Sequence, residues 1–83
     1  EIQRRSDGSV LVKASLAVAD LNEELGLQIP ESDEYDSIGG YVLNELGIIP
    51  QPGTRIPAPG VEITVQAATP RRISTLLLTP LTS

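Results

Sequence analysis

The sequence predicts an α+β fold, an antiparallel sheet with two short helices on one face in the order β-β-α-α-β-β-β. Three observations predict it. Asp7-Gly8, a dipeptide suited to tight turns between strands, stands just ahead of the apolar run Val10-Leu11-Val12. Two stretches of helical periodicity each stop at a glycine, Gly26 and Gly47. Val61, Ile63, Val65 and Ala67 alternate with Glu62, Thr64 and Gln66, the pattern of a half-buried strand. Strands gathered before and after a run of helices place the chain in the α+β class.

Taken in order, residues 2–5 and 9–14 form the opening hairpin. A helix follows from Val18 to Leu25, where Val18, Leu21 and Leu25 share one face at i, i+3 and i+7. Gly26 suits the left-handed position after a helix, and Leu27 folds back toward Leu21. The second helix spans Ser37 to Leu46, with Asp36 or Ser37 as its N-cap. Gly47 ends it, and Ile48 folds back toward Leu43. Gly39 and Gly40 fall inside its first turns, where each costs roughly 1 kcal/mol against alanine. Close approach of this helix to the sheet is the preferred reason for them. Phosphate capture by the exposed N–H groups is the other reading, and the carboxylates just upstream oppose it.

Pro50-Gln51-Pro52-Gly53 makes a stiff turn, and Pro57 and Pro59 put the short strand near 54–57 at a sheet edge. Pro70-Arg71-Arg72 turns the chain into a last strand over 73–78, and residues 79–83 are expected to be a flexible tail. Strict alternation in that last strand puts Ile73, Thr75 and Leu77 on one face and Ser74, Leu76 and Leu78 on the other. Leu76 and Leu78 are thereby expected on the water-facing side, where with Leu81 they make an apolar patch and a candidate interface.

Composition narrows the chemistry. At 83 residues the chain is one domain, 1–83. It has no cysteine and no histidine, which removes disulfides, thiolate chemistry, the usual general base and the commonest transition-metal ligand. Lys13 is the sole lysine, and nothing obvious activates Ser37, Tyr35 or Tyr41 as a nucleophile or acid. Glu23 and Glu24 fall on the solvent face of the first helix. The chain is therefore expected not to be an enzyme. A net charge of −5 with scattered basic residues argues against nucleic-acid binding. Arg71-Arg72, a lone pair of charges in a turn, gives only weak attraction to acidic lipid. No apolar run approaches the roughly 18 residues of a membrane-spanning helix, so this domain is not expected to insert in a membrane. The chain has no methionine and opens on Glu1, so it is expected to be a piece of a longer protein. Glu31, Asp33, Glu34 and Asp36 form an acidic run with oxygen ligands suited to Mg²⁺ or Ca²⁺. It lacks the glycine and closing glutamate of a calcium loop, and a solvated loop before the helix is the better account; no metal site and no cofactor is assigned.

Three stretches together resemble one known family. They are Asp7-Gly8-Ser9 before an apolar strand; Val18-Ala19-Asp20-Leu21-Asn22 with Leu25-Gly26-Leu27; and Tyr35-Asp36-Ser37-Ile38-Gly39-Gly40-Tyr41-Val42 with Leu46-Gly47, Ile49-Pro50 and Gly53. In order and spacing, over about residues 6–78, the chain resembles the CorC/HlyC, or transporter-associated, domain of bacterial integral membrane proteins known as hemolysins or magnesium and cobalt efflux proteins. On that resemblance Asp7, Gly8, Gly26, Ser37, Gly39, Gly40, Gly47, Pro50 and Gly53 are its structural signature. Ala14 stands where the family often has glycine, Ser37 replaces a commoner threonine, and Leu76-Leu77-Leu78 is more apolar than the family's last strand.

The resemblance implies a non-catalytic regulatory or interaction domain. It would lie at the cytoplasmic C-terminal end of a membrane protein, on the inner face of the bacterial plasma membrane. Its partners would be the CBS modules and transmembrane domain of the parent chain, with a homodimer as a further expectation. The fold is also grouped with FAD-binding domains of certain flavoenzymes, which makes a small-ligand or nucleotide-binding domain the alternative. FAD enters by fold analogy only, since no dinucleotide fingerprint is present. A divalent-metal sensor built on the acidic loop is the weaker alternative.

Overall fold

The computed structural model describes residues 2–81. Its elements are β1 (Ile2–Arg4), β2 (Val10–Lys13), α1 (Val18–Leu25), α2 (Ile38–Leu46), β3 (Arg55–Ala58), β4 (Val61–Ala68) and β5 (Ile73–Pro80). The order is the predicted one. All five strands join one antiparallel sheet, arranged β1-β2-β5-β4-β3. The opening hairpin turns at Gly8, whose φ of 92° is a conformation that residues with a Cβ rarely adopt.

Side chains from two adjoining register rows build the core on the helix side. One row runs Val10, Leu78, Ile63, Ile56 across β2, β5, β4 and β3. The other runs Ile2, Val12, Leu76, Val65 across β1, β2, β5 and β4. Val18 and Leu21 of α1, and Ile38, Tyr41 and Val42 of α2, close over them, together with Ile29 of the loop between the helices.

Two sequence expectations are corrected here. Leu76 and Leu78 do not face water; their exposures are 0% and 1%, at the centre of both rows. The cause is a pair of irregularities where β4 meets β5. Val65 pairs with Leu76 but Ala67 with Thr75, which leaves Gln66 extra on β4; Ala67 pairs with Thr75 but Ala68 with Ile73, which leaves Ser74 extra on β5. Each extra residue reverses the alternation beyond it, so Ile73, Leu76 and Leu78 are buried on the same side. Leu76 and Leu78 therefore make no surface patch. The flexible tail expected from residue 79 is also corrected. Thr79 and Pro80 continue β5, pairing with Glu62 and Val61, and the Leu81 N–H donates to the Gly60 carbonyl. Thr82 and Ser83 lie outside the described residues.

Candidate functional site

The two helices begin side by side, tied by backbone bonds. The Val18 N–H donates to the Asp36 carbonyl at 2.8 Å, and the Ile38 N–H donates to the Leu16 carbonyl at 2.9 Å. Ala17, the N-cap of α1, offers no capping side chain, and the Asp36 carbonyl satisfies the N–H of the first helical residue, one of those the helix itself leaves without a partner. Ser37 caps α2 in the usual way, its Oγ accepting from the Gly40 N–H at 3.0 Å. The Gly39 N–H donates to the Ala14 carbonyl at 2.8 Å, and the Ala14 N–H donates to the carbonyl of the extra residue Ser74 at 2.9 Å. A chain of backbone bonds thus runs from α2 through the end of β2 to the start of β5.

This contact fixes the glycines. A Cβ on Gly39 would lie 2.8 Å from the Ala14 Cβ and 3.0 Å from its carbonyl oxygen. A Cβ on Gly40 would lie 2.9 Å from the Tyr35 Cβ. The N–H groups of Ile38, Gly39, Gly40 and Tyr41 all have partners within the chain. The start of α2 therefore presents no backbone donor from these residues to an anion, and close packing accounts for both glycines.

Beside the contact lies an open cleft of about 390 Å³. Lys13, Ala14 and Ser15 at the end of β2 line it, with Ser37, Gly39, Gly40 and Leu43 of α2, and Arg72, Ile73 and Ser74 at the start of β5. Its lining residues include Lys13, Arg72 and three serines, and no carboxylate. Its chemistry suits an anionic group. Lys13 and Arg72 were visible in the sequence only as isolated basic residues; what joins them is the pairing of β2 with β5, which no local pattern encodes.

Tyr35 and Tyr41 meet edge to face, with ring centroids 5.5 Å apart at 72°. The Tyr35 hydroxyl donates to the Pro30 carbonyl. Burial, with the charges of Glu45 and of the ionisable Tyr35 hydroxyl as lesser contributors, pushes the Tyr41 hydroxyl above its ordinary pKa of 10.0. Both rings anchor the loop between the helices, and neither tyrosine lines the cleft.

The acidic candidates are not gathered. Glu31, Asp33, Glu34 and Asp36 are all exposed. Glu34 accepts from the Asn44 Nδ2 at 2.9 Å, while Asp36 contributes its backbone carbonyl to α1. Among the described residues no group of three or more Asp or Glu side chains is placed to hold a metal ion. The rest of the signature is architectural. The Asp7 carboxylate accepts from the Ser9 hydroxyl at 2.6 Å and the Ser9 N–H at 2.9 Å, and these bonds, the hydroxyl's foremost, hold its pKa below the ordinary value. Gly26 and Gly47 end the helices in left-handed conformation, Pro50 is buried, and the Gly53 N–H donates to the Val65 carbonyl at 2.7 Å.

Sequence reasoning met Asn22 only within a family-like stretch and gave it no role. Its side chain donates to the Ile29 carbonyl at 2.9 Å and accepts from the Ile29 N–H at 3.0 Å. This pins a core residue whose neighbours give no periodic signal.

The architecture has close counterparts among known proteins. A family model described as "Transporter associated domain" (CorC_HlyC) matches residues 3–82. A protein named possible hemolysin C from Rickettsia canadensis is 38% identical over 69 residues, which are 82% of this chain and 23% of that protein. Among solved structures, the associated region of a candidate Mg²⁺ and Co²⁺ transporter (CorC) from Neisseria meningitidis MC58 is 34% identical. It superposes with a TM-score of 0.89 over 96% of this chain and 98% of its own. The CorC_HlyC domain of a Xylella fastidiosa hemolysin, solved in complex with Mg²⁺ and Mn²⁺, is 30% identical with a TM-score of 0.87, covering 98% of each chain. The chain spans between 19% and 26% of the length of the first curated relatives it matches. The fold read from the residues and the match over nearly the whole chain converge, and the chain belongs to the transporter-associated CorC_HlyC domain family.

Proposed function

We propose that this domain is a non-catalytic regulatory and interaction module, the cytoplasmic C-terminal part of a CBS-containing membrane protein linked to divalent-cation transport or efflux. One observation carries the reading. Aligned over 96% of its length, the chain matches a domain that, in the Neisseria protein, is associated with a candidate Mg²⁺ and Co²⁺ transporter, and the match fills only a fraction of the curated relatives' length. The fold is consistent with a role in contact: Gly39 and Gly40 of its signature serve packing, and its tyrosines anchor a loop. No helix among the described residues is long and apolar enough to cross a membrane, so the transport path belongs to another part of the protein in this reading. The CBS modules and the transmembrane region of the same polypeptide are the proposed partners.

The test is deletion of this domain from the full-length protein, with cobalt and magnesium content measured in cells challenged with each ion. The expected result is a transporter that still reaches the membrane but whose ion export responds abnormally to load. Unchanged ion content at every load would overturn the reading.

A second reading, a small-ligand domain, is favoured by the cleft with Lys13 and Arg72 at its lining. A pocket of this size lies within the range of small-molecule sites. Thermal unfolding with phosphate, ADP or FAD tests it: a ligand at a hundredfold over its Kd adds about 2.7 kcal/mol of stability. The absence of any shift would remove this reading.

A further inference from the structure

The side of the sheet turned away from the helices carries a register row of its own. Gln3 pairs with Leu11, Leu11 with Leu77, Leu77 with Thr64 and Thr64 with Arg55, so each of the five strands contributes one residue. Val10, Val12, Leu76 and Leu78 point into the core, which directs Leu11 and Leu77 outward. These two leucines are half-buried and directly opposite one another at the middle of the row. Lys13 paired with Thr75 flanks them on one side, and Thr79 paired with Glu62 on the other. The outward face of an antiparallel sheet is ordinarily polar. Here an apolar centre sits inside a polar rim, the anatomy of a protein interface.

The charges are sorted between the two layers. Residues 14–54, which make the helices and their loops, hold eight of the eleven Asp and Glu and none of the six Lys and Arg. All six basic residues lie on strands or on the turns that join them. The helical layer is strongly acidic and the sheet layer carries a basic excess, although the chain as a whole is acidic. On the open face itself, Lys13 and Arg55 stand against the single acid Glu62.

We propose that this open face docks an acidic surface of a partner protein, with Leu11 and Leu77 as its apolar centre and Lys13 and Arg55 as the charges that select the partner. The inference rests on the interaction-module reading above and specifies the surface and the partner's chemistry. Complementary charge favours approach of an acidic partner and opposes a basic one. A face-to-face pair of two copies would bring two basic surfaces together, which the same argument opposes. An anionic membrane is the less suitable surface. Lipid recognition calls on clusters of about four to eight Lys or Arg, or on aromatic anchors. This face has two cations, one acid and no aromatic residue, both tyrosines being in the helical layer.

The test is an NMR titration of the isotopically labelled 83-residue chain. The probe is a synthetic amphipathic helical peptide of glutamate, leucine and serine. Its parallel arms are vesicles of phosphatidylcholine with phosphatidylglycerol, and a dilution series of the protein alone. At physiological salt, about 0.15 M, the expected result is saturable shifts of the Leu11, Lys13, Thr64, Leu77 and Arg55 amides with the peptide. Binding should weaken about tenfold in the K13E/R55E variant and in L11S/L77S. It should be unchanged in R4E/R5E, which alters charges at the hairpin end. Circular dichroism confirms that each variant is folded; K13E/R55E alters only exposed side chains and decides the matter if L11S/L77S is not.

Equal weakening by R4E/R5E means attraction without a site and overturns the proposal. Shifts of this face produced by the vesicles and not the peptide assign it to lipid, and shifts produced by concentration alone assign it to a second copy; either overturns the proposed partner. Shifts centred on Ser37 and Arg72 would move the interface to the cleft, overturning this face while leaving the interaction reading intact. That reading fails separately, if removal of the domain leaves ion export unchanged.

Discussion

The Gly39 N–H donates to the Ala14 carbonyl at 2.8 Å, and the space a Gly39 side chain would need is held by the Ala14 Cβ, also at 2.8 Å. Helix α2 lies on the sheet this closely because its first turn has no side chain there. The cost of glycine in a helix, roughly 1 kcal/mol, is offset by the packing it permits. Gly39→Ala should therefore destabilise the domain by about 1–3 kcal/mol in urea unfolding, the overpacking penalty exceeding the helix-propensity gain. Adding Ala14→Gly should recover part of the loss, and only part, since the Ala14 carbonyl oxygen stays 3.0 Å from the new methyl group. A Gly39→Ala variant as stable as the parent would refute the account.

The leucines of β5 supply a second test. Leu76→Ala and Leu78→Ala should each cost about 2–5 kcal/mol, the range for truncating a buried leucine, because both side chains are buried. Leu77→Ala, on the half-buried outward side, should cost clearly less. Matched urea midpoints decide it: if Leu77→Ala proves the most damaging of the three, the strand's phase is wrong.

That phase shows where sequence stops informing structure. Hydrophobic period and glycine stops were enough to place α1 and α2, and the prolines at 57 and 59 to place the edge strand, because each signal is local. The extra residues Gln66 and Ser74 reverse the alternation at one end of β4 and β5. Nothing in Ile73-Ser74-Thr75 marks the reversal, and Leu76-Leu77-Leu78 reads as apolar on both faces. The cleft was hidden for a related reason. Ser37 and Gly39 were readable as a helix start, but Lys13 and Arg72 reach the same place only through the pairing of β2 with β5, strands separated along the chain by both helices and two further strands. The sorting of charge between layers was likewise invisible while the basic residues looked scattered along the chain.

The acidic loop should not bind calcium or magnesium at millimolar concentration. Its carboxylates are exposed and not grouped, and Glu34 is engaged with Asn44 at 2.9 Å. Hard cations need six or more oxygens converging on one point. Isothermal titration should give only dilution heat. A saturable, stoichiometric event that disappears in Asp33→Asn/Asp36→Asn would overturn this.

Tyr41 predicts an alkaline weakness. Its folded-state pKa is raised above 10.0, chiefly by burial, so the folded protein holds this proton more tightly than the unfolded chain. Stability must then fall as pH rises from the unfolded value toward the raised one, since ionisation favours the unfolded state there. Tyr41→Phe should flatten the fall above pH 10 while leaving the slope near neutrality unchanged. Parallel curves for variant and parent in urea unfolding between pH 9 and 11 would assign the loss to other groups.

Asn22 predicts a loss at a site with little apolar packing of its own. Its amide donates to the Ile29 carbonyl and accepts from the Ile29 N–H, taking the place of a strand neighbour for a residue that has none. Ile29 is only 2% exposed, so its backbone cannot turn to water without drawing the side chain from the core. Asn22→Ala should cost about 1–3 kcal/mol, the penalty for leaving poorly solvated backbone groups unpaired. Asn22→Asp separates the two bonds. The carboxylate still accepts from the N–H but cannot donate to the carbonyl, so the variant should remain destabilised, and lowering pH toward the carboxylate's pKa should restore part of the stability by supplying a proton to donate. Hydrogen exchange at the Ile29 amide reports the site directly. It should quicken strongly in Asn22→Ala and much less in Asn22→Asp. Equal exchange in all three proteins would show that the loop is held by its side-chain packing and that Asn22 is incidental.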